Sequence, residues 1–150
     1  MPQSLSNVLV HLVFSTKNRS PWLTPEVRDE LFPYLAGILR NSDCPVLQVG
    51  GVEDHVHLLF NLSRTLTMAQ AVEKLKVASS KWLKVRWPAM SEFSWQGGYG
   101  AFSVGQGDVE RVVLYIQSQA EHHRKRSFQD EFRQLCLEQE VALDERYVWD

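Results

Sequence analysis

Val46-Leu47-Gln48-Val49-Gly50-Gly51-Val52-Glu53-Asp54-His55-Val56-His57-Leu58-Leu59-Phe60 is the stretch whose reading decides the fold. Val46 to Val49 reads as a short strand, Gly50-Gly51 as turn chemistry and Asp54 to Phe60 as another strand, so two strands follow each other with no helix between them. On the N-terminal side, the β-branched and apolar run Val8 to Ser15 predicts a buried strand, closed by the polar Thr16-Lys17-Asn18-Arg19. Thr24-Pro25-Glu26 then supplies an N-cap, a proline at the first helical position and an acid in the first turn. The helix it opens runs to about Arg40, with Val27, Leu31, Leu35 and Ile38 inward. On the C-terminal side, Thr67 to about Arg86 predicts a long helix with Met68, Ala71, Val72, Leu75, Ala78, Ser79, Trp82 and Leu83 on one face, ended by Pro88. Phe102-Ser103-Val104 reads as a last short strand, and Asp108 caps a helix to about His122. The order βαββαβα predicts an α+β protein: a ferredoxin-like βαββαβ sandwich with an antiparallel sheet, two helices on one face, the other face open, and a C-terminal helix. Function is expected on the open face.

The chain has 150 residues, 44% hydrophobic and 11% aromatic, enough for a single domain spanning 1–150 and too little for two. A 23% charged content with net charge -2 excludes a wholly disordered chain. Cys44 and Cys136 stand far apart, which excludes a disulfide framework and a cysteine zinc site. No apolar run approaches the ~18 residues of a membrane span, and Met1-Pro2-Gln3-Ser4 does not open a signal peptide. A cytoplasmic protein with no membrane partner is expected.

The small net charge hides an asymmetry. From about residue 129 to 150 an acidic tail sets seven acids against Arg133 and Arg146, leaving +3 on the rest. Arg64 to Trp87 carries Arg64, Lys74, Lys76, Lys81, Lys84 and Arg86 against Glu73 alone, and His122-His123-Arg124-Lys125-Arg126 adds a second cluster. The body therefore offers basic surface for a polyanion, although a lysine-bearing amphipathic helix taken alone is more often a solvated face, so charge by itself decides little. Five of the eight glycines lie between Trp95 and Gly107, with neither Walker nor dinucleotide spacing, and read as a pliable loop.

Strand alternation puts His55, His57 and Leu59 on one face and Val56, Leu58 and Phe60 on the other. Two imidazoles ~7 Å apart at Cβ can turn onto one divalent cation. Two partly exposed polar residues on a half-solvated strand is the competing reading. In the helix that follows, Val109, Val112, Val113, Ile116 and Ala120 form an apolar face, while Arg111, Tyr115, Ser118, Gln119 and His122 lie opposite. Tyr115 thus stands off the apolar stripe, one turn from Gln119, where an exposed spectator tyrosine is the alternative. Buried His11 reads as structural, and Trp22, Trp87, Trp95 and Tyr99 as core aromatics more than stacking platforms for bases.

Together these pieces resemble the insertion-sequence-200-like (IS200/IS605) group, the HUH-type single-tyrosine transposases of bacterial insertion sequences. His11 to Arg19 is similar to that family's first strand and exit, and Asp54-His55-Val56-His57-Leu58-Leu59 to its HUH motif. Trp95 to Val104 is similar to its glycine-bearing loop and strand, and Tyr115-Ile116-Gln117-Ser118-Gln119-Ala120-Glu121-His122-His123 to its catalytic helix. The match runs from about Val8 to Phe132, and the acidic tail beyond matches nothing assignable.

The resemblance implies that His55 and His57 bind a divalent metal with Gln119 as third protein ligand, and that Tyr115 is the nucleophile. It implies attack on single-stranded DNA through a 5′-phosphotyrosine intermediate, with hairpins near the element's ends recognised. It further implies a homodimer whose catalytic helix is exchanged between subunits. On ligand grounds the cofactor is Mg²⁺ or Mn²⁺, with zinc open. Lys74, Lys76, Lys81, Lys84, Arg86, Arg124, Lys125 and Arg126 are candidate phosphate contacts. Two rivals stand beside this: a domesticated relative acting on chromosomal palindromic repeats, and a non-catalytic nucleic-acid-binding module of the same fold. A phosphoesterase with two His-x-Thr/Ser motifs would need a second motif that the chain lacks.

Overall fold

A computed structural model describes residues 2–122 and 125–150. The strands are β1 (Leu9–Ser15), β2 (Val46–Gly51), β3 (His55–Asn61) and β4 (Gly100–Ser103). The helices are α1 (Pro25–Asn41), α2 (Met68–Arg86), α3 (Val109–Gln117), α4 (Gln119–His122) and α5 (Phe128–Glu138). The strands form one antiparallel sheet in the order β2-β3-β1-β4, the order expected of a ferredoxin-like sandwich. Among the described residues no helix is long and apolar enough to cross a membrane.

The sequence starts both face-covering helices as predicted. The Thr24 hydroxyl accepts the Val27 N–H, and Thr67 with Gln70 forms a reciprocal capping box. Both helices then lay Leu31, Leu35, Leu75 and Leu83 on the sheet face made by Val10, Leu12, Phe14, Val56, Leu58 and Phe60, which is the main core.

The opposite face is not open, as the sequence led us to expect. Helices α3 and α5 cover it, α3 through Val112 and Ile116 on Leu59, and α5 through Phe128, Phe132 and Cys136 on Val13 and Phe102. The supposed acidic tail is thus a packed element: its acids other than Glu131 face water, while a Phe128, Phe132, Cys136 stripe at helical spacing faces the sheet. The close approach has a cause in the sheet. Register places Gly50, His57, Val13 and Gly100 in one row across all four strands. A Cβ on Gly50 would lie 2.7 Å from Ile116 Cγ2, and one on Gly100 would lie 2.6 Å from Phe132 Cε2. Bare edges of that row let the two helices sink onto a sheet whose middle carries His57.

Two boundaries and one loop differ from expectation. The helix foreseen from Asp108 to His122 breaks at Ser118, whose hydroxyl donates to the Leu114 carbonyl at 2.8 Å and whose backbone (φ -95, ψ 18) leaves the helical region. Strand β4 starts earlier, at Gly100. The glycine-bearing loop is anchored at its start: the Trp95 indole donates to Ser79, the Gln96 N–H to the Ser15 carbonyl, and the Gly97 N–H to the carbonyl of Asp150.

Gly50→Ala is expected to destabilise the protein by about 1–3 kcal/mol, as overpacking does, because Ile116 backbone as well as side chain meets the new methyl. Urea unfolding of the variant measures it; an unchanged midpoint would show that α3 does not depend on this contact.

Candidate metal and nucleophile centre

The alternation of β3 sends His55 and His57 to the α3/α5 side, and both are wholly buried, not facing an open surface as the sequence suggested. Each ring is held from behind. His55 Nδ1–H donates to Asp54 Oδ1 at 2.7 Å, which leaves Nε2 pointing inward. His57 Nδ1 shares a 2.8 Å hydrogen bond with Nε2 of His11, from the neighbouring strand β1.

Around the two inward nitrogens stand three groups from the C-terminal helices. Gln119 Oε1 lies 3.0 Å from His55 Nε2. Glu131 Oε1 lies 3.0 Å from His57 Nε2 and 3.2 Å from His55 Nε2. Glu131 Oε2 accepts the Tyr115 hydroxyl and, at 3.2 Å, the Gln119 amide. The break at Ser118 starts α4 at Gln119, whose amide also donates back to the Tyr115 carbonyl. Tyr115 is half-buried, with its ring edge-on to His57 at 5.7 Å between centroids. All of this is made within one chain.

Donor atoms of His55, His57 and Glu131 lie within 4.8 Å of one another, so these three could hold a metal ion, with the Gln119 oxygen beside them. The set fits a divalent cation: two imidazoles, a carboxylate and an amide converge, and both rings have their outer nitrogens engaged. Glu131 was not singled out in the sequence, because it sits among the acids of the tail. Its signal was present in the stripe Phe128, Phe132, Cys136, on whose buried face position 131 falls. Asp54 and the outer role of His11 were likewise missed.

Charge in this pocket is tightly coupled. Burial pushes the His55 pKa down, but hydrogen bonds to Asp54 and Glu131, with their charges, outweigh it and lift the group to about 9. Burial, and then His57, lowers His11 to about 3, so His11 is neutral. Tyr115 is raised well above the ordinary phenol value by burial and by the Glu131 charge.

The basic residues lie elsewhere. Helix α2 packs on the far face of the sheet, where exposed Lys74 and Lys81 border the cleft between α1 and α2 and Lys84 follows on the same helix. Lys76 is committed to the loop, donating to the carbonyls of Gln96 at 2.8 Å and Gly98 at 2.7 Å, and burial lowers it to about 8. Arg86 makes a two-pronged contact with Glu30 and stacks on Trp87. Lys125 is exposed and Arg126 half-buried near Tyr115, whose pKa its charge lowers, while Arg124 falls outside the described residues. Trp95 and Trp22 are core aromatics, as expected.

Residues 4–119 match the family described as "Transposase IS200 like". The ISDra2 transposase TnpA of Deinococcus radiodurans is 30% identical over 114 residues, covering 73% of this chain and 81% of that protein. Among solved structures, a putative transposase from Deinococcus radiodurans R1 superposes with a TM-score of 0.65 at 24% identity, covering 79% of this chain and 98% of the other. A REP-associated tyrosine transposase bound to a REP hairpin gives 0.61 at 12% identity, covering 82% and 72%. The matched family span ends at Gln119, so α5 and Glu131 lie beyond it.

The raised His55 pKa carries a stability signature. Its contribution is complete below the unfolded value of 6.5 and is lost as pH rises through about 9. Metal-free protein is therefore expected to lose stability across that window relative to His55→Gln. The difference between the two proteins removes the contribution of Lys76, which runs the opposite way above pH 8. Urea titrations of both at pH 6.5 and 9 measure the gap, and a pH-independent difference would contradict the assignment.

Proposed function

The chain belongs to the IS200-like transposase family, and from that premise we propose that it cuts and rejoins single-stranded DNA with Tyr115 as nucleophile. The observation that carries the reading is the convergence of the Tyr115 hydroxyl and Gln119 onto the paired His55 and His57 rings. In the proposed reaction Tyr115 Oη attacks the scissile phosphorus in line. The Oη–P bond forms as the P–O3′ bond breaks, leaving a 5′-phosphotyrosine and a 3′-hydroxyl. Because the phosphodiester energy stays in the tyrosyl ester, attack by a 3′-hydroxyl reverses the step and rejoins strands, which suits recombination better than hydrolysis.

His55, His57 and Gln119, with Glu131 beside them, are the residues that would hold Mg²⁺ or Mn²⁺. When bound, such a cation supplies charge to polarise the phosphate's non-bridging oxygens. The protein's own contribution is orientation: Asp54 and His11 fix the imidazole planes, and Glu131 and the α3 backbone fix the phenol. Lys74, Lys81, Lys84, Lys125 and Arg126 are the proposed phosphate contacts outside the centre, with Lys76, Arg86 and Arg124 as further candidates. Hairpin-bearing DNA ends are the proposed substrate.

Tyr115→Phe removes the attacking oxygen and with it one of the hydrogen bonds to Glu131, whose Oε2 keeps the Gln119 amide. The variant is expected to bind an end-derived oligonucleotide as wild type does and to form no denaturation-resistant protein–DNA adduct, while His57→Ala loses metal-dependent cleavage. An adduct formed by the Tyr115→Phe protein would refute the nucleophile. His57→Ala also strips a buried partner from Glu131, an expected loss of about 1–3 kcal/mol, so its fold is to be checked by circular dichroism before activity is compared.

Tyr115 and Gln119 lie against the histidines of their own chain; for assembly we propose a homodimer in which α3 and α4 instead reach the equivalent position on the partner's sheet, with the turn at Gly105 to Asp108 as hinge. The test mixes Tyr115→Phe with His57→Ala protein. With exchange, the mixed dimer holds one intact site, and the adduct appears on the His57→Ala chain. If verified mixed dimers stay inactive, each chain serves its own histidines.

A further inference from the structure

His11 is a buried titratable side chain to which the proposed reaction gives no chemical step, yet it touches the centre. It lies on β1 diagonally across from His57, since His57 pairs with Val13 and His11 stands two residues away on the same face. Its Nε2 is 2.8 Å from His57 Nδ1, with the two rings 5.0 Å apart and 27° from coplanar. We propose that His11 is the positioning residue that sets which nitrogen of His57 faces the cation, the part that Asp54 plays for His55. The inference deepens the functional reading above and rests on it.

An imidazole ligates through a lone pair, so the proton must stand on the other ring nitrogen. For His55 this is settled by the Asp54 carboxylate, which only accepts. His57 faces a different requirement. While its Nε2–H donates to Glu131 Oε1, its Nδ1 accepts from His11 Nε2–H. Once Nε2 is turned to a cation, the proton stands on Nδ1 and His11 Nε2 must accept instead. A carboxylate at position 11 could serve only the second state and a lysine only the first. A neutral imidazole serves both by moving its own proton between its two nitrogens. An apolar side chain there would remove the His11 hydrogen bond from His57 Nδ1 in either state, and with it the preference of the ring for presenting Nε2 inward.

The test compares wild type, His11→Gln, His11→Phe and His57→Ala by calorimetric titration with Mn²⁺, after circular dichroism has shown each to be folded. His57→Ala is expected to lose binding. His11→Phe is expected to bind Mn²⁺ about 10–100-fold more weakly, the usual cost of removing such a partner. His11→Gln, whose amide can present either a donor or an acceptor, is expected to stay close to wild type. Nitrogen-15 NMR of the histidine rings, with Zn²⁺ as diamagnetic probe, should show the His57 proton on Nε2 in the metal-free protein and on Nδ1 with zinc. In His11→Phe this switch should be incomplete. Wild-type Mn²⁺ affinity in His11→Phe, a loss that His11→Gln does not rescue, or a His57 proton that stays on Nε2 would each overturn the inference while leaving the metal site standing. Absence of Mn²⁺ binding in wild type, or unchanged binding in His57→Ala, would overturn the metal site itself and the inference with it.

Discussion

Glu131 sits with no exposure between two imidazoles, a phenol and an amide, and this single carboxylate ties the C-terminal helix to the rest of the molecule. Moving a carboxylate from water into such surroundings costs several kcal/mol unless charge and hydrogen bonds replace its hydration. Here both oxygens are engaged, Oε1 by the histidine nitrogens and Oε2 by Tyr115 and Gln119. The same contacts raise the His55 pKa and hold the Tyr115 proton in place. Electrostatics, position of the phenol and docking of α5 are therefore one problem with one solution, and none of the three can shift without the other two.

Backbone geometry makes that solution reachable. The row Gly50, His57, Val13, Gly100 has bare ends and a filled middle, so α3 and α5 settle on the same face of the sheet, one over each edge strand, and lean toward the central strands. Aromatic packing of Phe128 and Phe132 against Phe102 and Trp149 then fixes the register of α5. Position 131 follows from that register, because it lies one helical turn after Phe128 and next to Phe132. Chain ends help: the carbonyl of Asp150 is held by Gly97, and that of Trp149 by Arg19.

The two faces of the sheet separate two kinds of surface. On one, α1 and α2 bury a wide aliphatic core and turn Lys74, Lys81 and Lys84 to water. On the other, a thin layer of short helices encloses polar groups that exchange hydrogen bonds among themselves. Dense apolar packing stabilises the first face and leaves its exterior free to carry charge. The second depends on satisfied polar contacts, so small changes in its composition should be felt in proton positions before they are felt in the fold.

Periodicity alone determined the element order as far as the helix that carries Tyr115, the sandwich architecture, and the sharing of one face by His55 and His57, because alternation along a strand and 3.6-residue spacing along a helix are local properties; α5 was read only as an acidic tail. Tyr115 was legible for the same reason: it stands off the apolar stripe of its own helix, one turn before Gln119. Only tertiary structure decided that the histidine face is covered, that Ser118 breaks the helix, and that Lys76 serves the loop. It alone brought His11, Asp54 and Glu131 to the centre. Those three come from β1, from the residue just before β3 and from α5, and no pattern local to any one segment encodes a distance to the others. An acid in a run of acids looks solvated until the phenylalanines beside it are packed, and packing is a property of two surfaces that sequence spells out separately.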